Sequence, residues 1–170
     1  MIPGMNQARS RQPSPLDAAL ADFIQGGVSV VIASSNAGLE PDVVRGCGCR
    51  VSRDLRRVTV LYDRARGERV LEDFAANGRI AVVYTQPSTH RTIQLKGTDA
   101  SMVRAAASDP GLARDHREKW IRDLCQLGYT REFSAAVWGP LPETLAAIVF
   151  TPTSAFQQTP GANAGQPLGR

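Results

Sequence analysis

Apolar residues follow the short period of β-strands in six segments of the chain. Each segment is rich in Val, Ile, Tyr or Thr and is bounded by turn-forming residues. These segments are residues 28–34, 43–51, 58–62, 80–85, 92–96 and 145–151. The turns Asn36-Ala37-Gly38 and Arg53-Asp54 join neighbouring segments. The pattern therefore predicts antiparallel pairing of the strands that these turns connect.

Four other segments carry the longer period of amphipathic helices. The sequence predicts helices from an N-cap at Ser14 to Gly26, over residues 68–76, from an N-cap at Asp109 to Leu127, and over residues 131–137. The predicted apolar stripes are Val70, Leu71, Phe74 and Ala75 in the second helix and Trp120, Ile121, Leu124 and Leu127 in the third.

This order of elements predicts an α+β protein that is mainly β, a split β-barrel of about six antiparallel strands with flanking helices. With 170 residues, 42% of them hydrophobic and 21% charged, the chain suits one domain with its own core. We expect this domain to cover residues 14–156. A flexible N-terminus would precede it at residues 1–13. The Gly- and Pro-rich residues 157–170 would form a tail that is disordered or lies across a partner subunit.

Basic residues are concentrated in the segment that contains the four central strands. Residues 41–97 hold eleven of the twenty Lys and Arg residues but six of the sixteen acids. We therefore expect an anionic ligand, because forked guanidinium groups match the paired oxygens of a phosphate monoester. Arg69, at a helix start, would add its charge to the positive end of the helix dipole. A solvated basic surface would give the same composition.

Three short motifs follow one another in this basic segment. A strand carries Arg45 and Arg50. A strand end and a helix start read Tyr62-Asp63 and Gly67-Glu68-Arg69, and a later strand reads RTIQLKG from Arg91. In this order the motifs resemble those of the FMN-binding split barrels typified by pyridoxamine 5'-phosphate oxidase, over residues 16–102. The resemblance implies that FMN is bound by Arg45, Cys47, Cys49, Arg50, Tyr62, Asp63, Gly67, Arg69, Arg91 and Thr92.

The strand that carries two of these arginines is irregular. Strict alternation would put Arg45 and Arg50 on opposite faces, so both can touch one ligand only if a β-bulge intervenes. Gly46 and Gly48 are poor strand formers and fit a bulge or the close approach of a ligand. Cys47 and Cys49, two positions apart, are expected to share one face.

The resemblance implies an FMN-dependent oxidoreductase acting on a small molecule, with the redox chemistry supplied by the flavin. It also implies a homodimer with the cofactor between subunits. The sequence departs from the oxidase in two ways: the C-terminal Trp and Arg residues that grip the pyridoxal substrate are not found, and Glu68 stands where the oxidase has Arg. Vitamin B6 oxidation is therefore not expected.

Two alternatives stay open. The same fold occurs in non-catalytic proteins that store or sense flavin, deazaflavin or heme, and a heme would need His90 or His116 as axial ligand. A ligand-free structural barrel is the other alternative. Trp120 and Trp138 could lie over a flavin ring, although large aromatic residues are more often part of a core or interface.

Other classes of function find little support in the sequence. With three Cys and two His residues there is no zinc-ligand set, so no metal site is predicted. Aromatic residues make up 6% of the chain and no nucleic-acid signature occurs. No apolar run is long enough to cross a membrane, and residues 1–14 resemble no secretion signal. We expect a cytoplasmic protein.

Overall fold

One eight-stranded antiparallel sheet organises the computed structural model, which describes residues 14–168. Its strands are β1 Ser29–Ser35, β2 Pro41–Val51, β3 Val58–Asp63, β4 Ile80–Thr85, β5 Thr92–Gly97, β6 Ser101–Val103, β7 Leu145–Phe150 and β8 Ser154–Gln157. The strand order is β6-β7-β3-β2-β1-β4-β5-β8. Within residues 14–168 no pairing joins β6 to β8, so the sheet is open at both edges.

The α+β class is confirmed, whereas the expected number of about six strands is wrong. The two additional strands are β6 and β8. All three residues of β6 are exposed, so its sequence carries no alternation between buried and exposed positions. Strand β8 has four residues and follows Pro152, and only Ala155 in it is buried. The prediction of a flexible N-terminus at residues 1–13 lies outside the described residues.

The sheet curves around a single large apolar core. Val30, Val60 and Leu95 are among the strand residues that point into it and are fully buried. Two helices, α1 Ala18–Ile24 and α2 Glu68–Asn77, add Ile24 and Phe74 to the same core. Burying such side chains stabilises the fold by about 1.5–3 kcal/mol each.

Of two further helices, α3 Asp109–Cys125 packs on the outer face of the sheet, the face that points away from the core, and α4 Arg131–Trp138 packs against α3. Ala113 of α3 contacts Leu61 of β3 and Ala147 of β7 there. Trp120 of α3 and Trp138 of α4 lie against each other, with ring centroids 5.2 Å apart. Within residues 14–168 no helix is long and apolar enough to span a bilayer.

Some predicted helix details are wrong. The first helix has its N-cap at Asp17, whose Oδ1 accepts a hydrogen bond from the Leu20 amide, and Ser14 instead donates to the Leu55 carbonyl. The third helix ends before Leu127, which is exposed, because the chain turns away after Cys125. Ala75 is exposed on the solvent side of α2.

A β-bulge in β2 changes which residues share a face. Gly46 pairs with Tyr62 but Gly48 pairs with Leu61, so Cys47 has no partner position in β3. Cys47 therefore lies on the outer face and Cys49 in the core, and the expectation that both cysteines share one face is wrong. The same bulge brings Arg45 and Arg50 to one face.

The residues after β8 fold back along this edge strand. The Gly165 amide donates to the Gln157 carbonyl at 2.7 Å, and the Leu168 amide donates to the Ala155 carbonyl at 2.9 Å. The Leu168 side chain packs against the core. These contacts tie residues 157–168 to β8 of the same chain.

Candidate cofactor site

Arg45, on the outer face of β2, is held by α4. Its guanidinium carbon lies 4.3 Å from the ring centroid of Trp138 and 5.4 Å from that of Trp120. Its Nη1 also donates to the Trp138 and Val137 carbonyls over 3.4 and 3.5 Å. Burial lowers the pKa of Arg45, and the charge of Arg66 lowers it further. Arg45 and Arg66 therefore belong to one local cluster of positive charge.

The connection from β3 to α2 lies beside Arg45 and carries most of this charge. Arg64, Arg66 and Arg69 are all exposed there. The N-cap of α2 is Gly67, so no side chain caps the free amides at the start of this helix. Asp63 accepts from the Ala65 amide, and its Oδ2 lies 3.4 Å from Arg66 Nε.

Gly67 has a steric reason to be glycine. A Cβ at this position would lie 2.3 Å from Cε2 of Tyr62. The backbone at the start of α2 therefore packs directly on the Tyr62 ring, which is fully buried in the core. Burial raises the pKa of Tyr62 to about 12. Tyr62 supports the helix start from below and does not itself reach the surface.

The two strand cysteines differ in their surroundings. Cys47 lies beside Asp63, and burial raises its pKa to about 11, with the Asp63 charge acting in the same direction. Cys49 is buried in the core, where its thiol donates to the Ile24 carbonyl at 3.0 Å, and burial raises its pKa to about 12. Both stay protonated thiols near neutral pH, so neither is an activated nucleophile.

Arg50 lies at the other end of β2 and has a different partner. Its Nη1 donates to Oδ1 of Asp109 at 2.7 Å, and the side chain of Asp109 is 0% exposed. The second Asp109 oxygen accepts from the Ala106 amide at 2.7 Å. Arg50 is therefore on the same face as Arg45 but about 16 Å away, at about 3.3 Å per residue of strand.

Arg91 and Thr92 form a third location at the start of β5. The Arg91 guanidinium carbon lies 4.1 Å from the ring centroid of Phe23, and the Thr92 hydroxyl lies 3.1 Å from that of Thr85. Strands β1 and β4 separate β5 from β2, which places Thr92 about 14 Å from β2 at the usual strand spacing. One chain thus brings together Arg45, Cys47 and Asp63, with Gly67 and Arg69 at the far end of the connection that follows Asp63, but it does not bring Arg50, Arg91 or Thr92 to the same place.

The outer face between these locations is open and partly apolar. Arg45, Val31, Val83 and Gln94 lie in one row across β2, β1, β4 and β5. In the single chain Val31 is 38% exposed and Val43 is 65% exposed. Val31 and Val43 are diagonal neighbours on paired strands, and contiguous exposed apolar surface commonly marks a binding site or an interface.

His116 of α3 lies beneath the aromatic residues beside Arg45. It is 3% exposed, its ring centroid is 5.4 Å from that of Trp138, and its Nε2 has no partner within residues 14–168. Burial lowers its pKa to about 4, and the charges of Lys119 and Arg45 act in the same direction. His116 is thus a neutral, enclosed imidazole, whereas His90 is exposed and has a left-handed backbone, with φ 57°.

Sequence reasoning missed three members of this region. Arg64 and Arg66 lie between Tyr62-Asp63 and Gly67-Glu68-Arg69, and their charge alone indicates them as candidates. The prediction of Asp109 as the N-cap of the third helix is wrong, because Ser108 is the N-cap and Asp109 is the first residue of α3. The pairing of Asp109 with Arg50 has no local signal in the sequence. Within residues 14–168 no group of three His, Cys, Asp or Glu side chains is arranged to hold a metal ion.

The fold, but not the sequence, has clear counterparts among known proteins. No protein-family model and no curated protein matches the sequence. HupZ of Group A Streptococcus superposes with a TM-score of 0.51 and 17% identity, covering 88% of this chain and 99% of HupZ. A putative pyridoxamine 5'-phosphate oxidase of Lactobacillus delbrueckii superposes with a TM-score of 0.50 and 13% identity, covering 83% and 93%. The chain therefore has the fold of the pyridoxamine 5'-phosphate oxidase-like split-barrel proteins.

Proposed function

We propose that the protein binds FMN and serves as a flavin-dependent oxidoreductase for a small-molecule substrate. The observation that carries this proposal is the arginine cluster around the uncapped start of α2. Arg64 and Arg66 precede the free helix amides, Arg69 follows in the first turn, and the charge of Arg66 acts on Arg45. Helix amides and guanidinium groups are the donors that bind phosphate monoesters in proteins.

The residues present fit the phosphate end of FMN. Four arginines outweigh the two carboxylates of Asp63 and Glu68 at this point of the chain, so the local charge favours an anion. The Tyr62 ring beneath Gly67 keeps the helix start in place. In this proposal Arg66 and Arg69 hold the phosphate, while Arg45 is fixed by Trp138. Cys49 and Tyr62 support the site from the core.

The flavin ring would lie on the open outer face of β1, β4 and β5, where it would supply electron transfer to and from the substrate. This face carries Val31, Val83 and Gln94, which offer apolar contact and one amide. Since this surface is exposed in a single chain, we propose that a second copy covers it. In a single chain Arg91 and Thr92 are too far from Arg45 to contact the same ligand. Two copies together would complete the site.

The absorption spectrum of the purified protein tests the cofactor. We expect flavin absorbance and the release of FMN on heating. A colourless protein that takes up no added FMN would refute the proposal, and a red protein would favour heme.

The phosphate site is tested with Arg66→Ala and Arg69→Ala. Each should weaken FMN binding by about tenfold to a hundredfold, because one charge-assisted hydrogen bond contributes about 1.5–3 kcal/mol. Riboflavin, which lacks the phosphate, should lose much less affinity. Arg114→Ala, an exposed arginine of α3, is the control. Equal losses for FMN and riboflavin would show that the arginines act through folding.

Light scattering tests the dimer, since one chain has a mass of 18.3 kDa. A monomer that still holds FMN would show that the site is built from one chain.

A further inference from the structure

A second basic cleft lies at the opposite end of β2 from the Arg45 cluster. It has a volume of about 350 Å³, which lies within the usual range for small-ligand sites. Arg50, Arg57 and Arg104 line it, and none of the acidic residues between positions 14 and 168 does. We propose that this cleft binds a small organic anion, a phosphate or carboxylate attached to an apolar group.

The sheet register builds the floor of this cleft. Arg50, Thr59 and Val149 lie in one row across β2, β3 and β7. Thr59 is 8% exposed, and Val149 and Val103 add apolar surface beside it. A floor of two valines favours the apolar part of an organic molecule over a free inorganic ion, which would gain nothing from it.

Arg50 is oriented before any ligand arrives. The buried Asp109 carboxylate binds one of its terminal nitrogens, and the Ala106 amide holds Asp109 in turn. A guanidinium group has five N–H donors, so the contact with Asp109 leaves others for the cleft. A group fixed in this way loses little conformational entropy when it binds an anion.

Arg57 and Arg104 give the cleft its net charge. Both are exposed, and neither forms an ion pair within residues 14–168. Asp109 balances only one of the three arginines, which leaves an excess of two positive charges at one opening. The like charges of these arginines repel one another at short range. A bound anion reduces this repulsion, because its carboxylate or phosphate oxygens pair with each guanidinium group.

The experiment is calorimetric titration of the purified protein with phenyl phosphate, with inorganic phosphate as the ligand that lacks an apolar part. Arg57→Gln and Arg104→Gln should each weaken phenyl phosphate binding about tenfold. Arg53→Gln is the matched control, an exposed arginine of the same hairpin that does not line the cleft, and it should bind as the unmodified protein does. Phenyl phosphate should bind at least several-fold tighter than inorganic phosphate.

Three results would overturn the proposal. Equal affinities for phenyl phosphate and inorganic phosphate would show that the apolar floor contributes nothing to binding. Loss of binding in Arg66→Gln, with retention in Arg57→Gln and Arg104→Gln, would move the anion to the Arg45 cluster. Tight binding of a single-stranded oligonucleotide that weakens equally in Arg53→Gln, Arg57→Gln and Arg104→Gln would indicate a nucleic-acid surface. None of these measurements depends on the FMN content of the protein. The proposal for the cleft can therefore be refuted while the proposal for the flavin site stands.

Discussion

Arg45 and Arg50 come from one strand and emerge on one face, yet their environments are opposite. Arg45 lies over two indole rings and donates to two carbonyls of a helix end, and within residues 14–168 it forms no ion pair. Arg50 is bound to a fully buried carboxylate. The difference shows that a shared face does not make a shared site. Arg45 depends on aromatic and carbonyl contacts for its position, whereas Arg50 is oriented by an ion pair that leaves its other N–H donors for the cleft beside it.

The largest expected effect comes from breaking the Arg50 pair. Arg50→Met leaves the buried Asp109 charge without a cation and should lower the free energy of unfolding by about 3–5 kcal/mol. Urea denaturation measures this loss, with Arg57→Met as the control because Arg57 is exposed and forms no ion pair within residues 14–168. The double variant Arg50→Met/Asp109→Leu should recover most of the stability. Equal effects of Arg50→Met and Arg57→Met would contradict this interpretation.

Acid is expected to act on the Arg45 side of the comparison, through His116. Its pKa is about 4 in the folded protein and 6.5 ordinarily, so the unfolded chain binds a proton that the folded chain excludes. The contribution of neutral His116 to the free energy of unfolding is fully present above pH 6.5. It falls as the pH drops from 6.5 to 4, by about 3 kcal/mol in total.

Denaturation at a series of pH values measures this loss. His116→Gln should flatten the curve between pH 6.5 and 4, and His90→Asn should leave it unchanged because His90 is exposed. Asn is chosen because it tolerates the left-handed backbone at that position. If the His116→Gln curve keeps the wild-type slope, another group is responsible.

The next largest effect is expected from a substitution in the β2 bulge, which places Arg45 and Arg50 on the same face. Gly48 has φ 143°, and a Cβ there would lie 2.9 Å from Cδ2 of Leu112. Gly48→Ala should therefore cost about 2 kcal/mol, from backbone strain and the displacement of α3. Gly111→Ala, whose nearest neighbour would be 3.8 Å away, should be neutral or stabilising. The melting temperatures of the two variants test this prediction. An unchanged melting temperature for Gly48→Ala would mean that the bulge relaxes to accommodate the methyl group.

The smallest effect is expected at Arg45 itself. Arg45→Met keeps the apolar stem over Trp138 but removes the cation, and a half-exposed cation–π contact contributes about 1 kcal/mol. Urea denaturation should show this small loss against Arg79→Met, an exposed arginine of another part of the surface. A loss as large as that of Arg50→Met would mean that the two arginines do not differ as described.

The sequence predicted the central part of the fold well. Strands β1 to β5 are rich in apolar and β-branched residues, and α2 has an apolar stripe and a Gly at its C-terminal end, so local chemistry determines these elements. Strand β6 has no buried residue, so nothing in its sequence distinguishes it from a loop. The faces of Cys47 and Cys49 could not be assigned, since a bulge of one residue reverses the alternation and its position depends on pairing with β3.

The candidate site was predictable only in part for a related reason. Gly67 and Arg69 lie at a helix start that the pattern defines, so their proximity to each other is local. The pairing of Arg50 with Asp109 joins residues 59 positions apart, and it depends on where α3 packs on the sheet. Arg91 and Thr92 share a motif with the rest but lie beyond two intervening strands.

The backward fold of residues 157–168 has a consequence for behaviour in concentrated solution. Edge strands present free amides and carbonyls that can recruit a strand from another molecule, which is a common route to aggregation. Here the amides of Gly165 and Leu168 donate to the β8 carbonyls of Gln157 and Ala155, so residues of the same chain occupy part of the β8 edge. The opposite edge, β6, is only three residues long. Neither edge offers a long free template, so we expect little strand-to-strand association at the ends of this sheet.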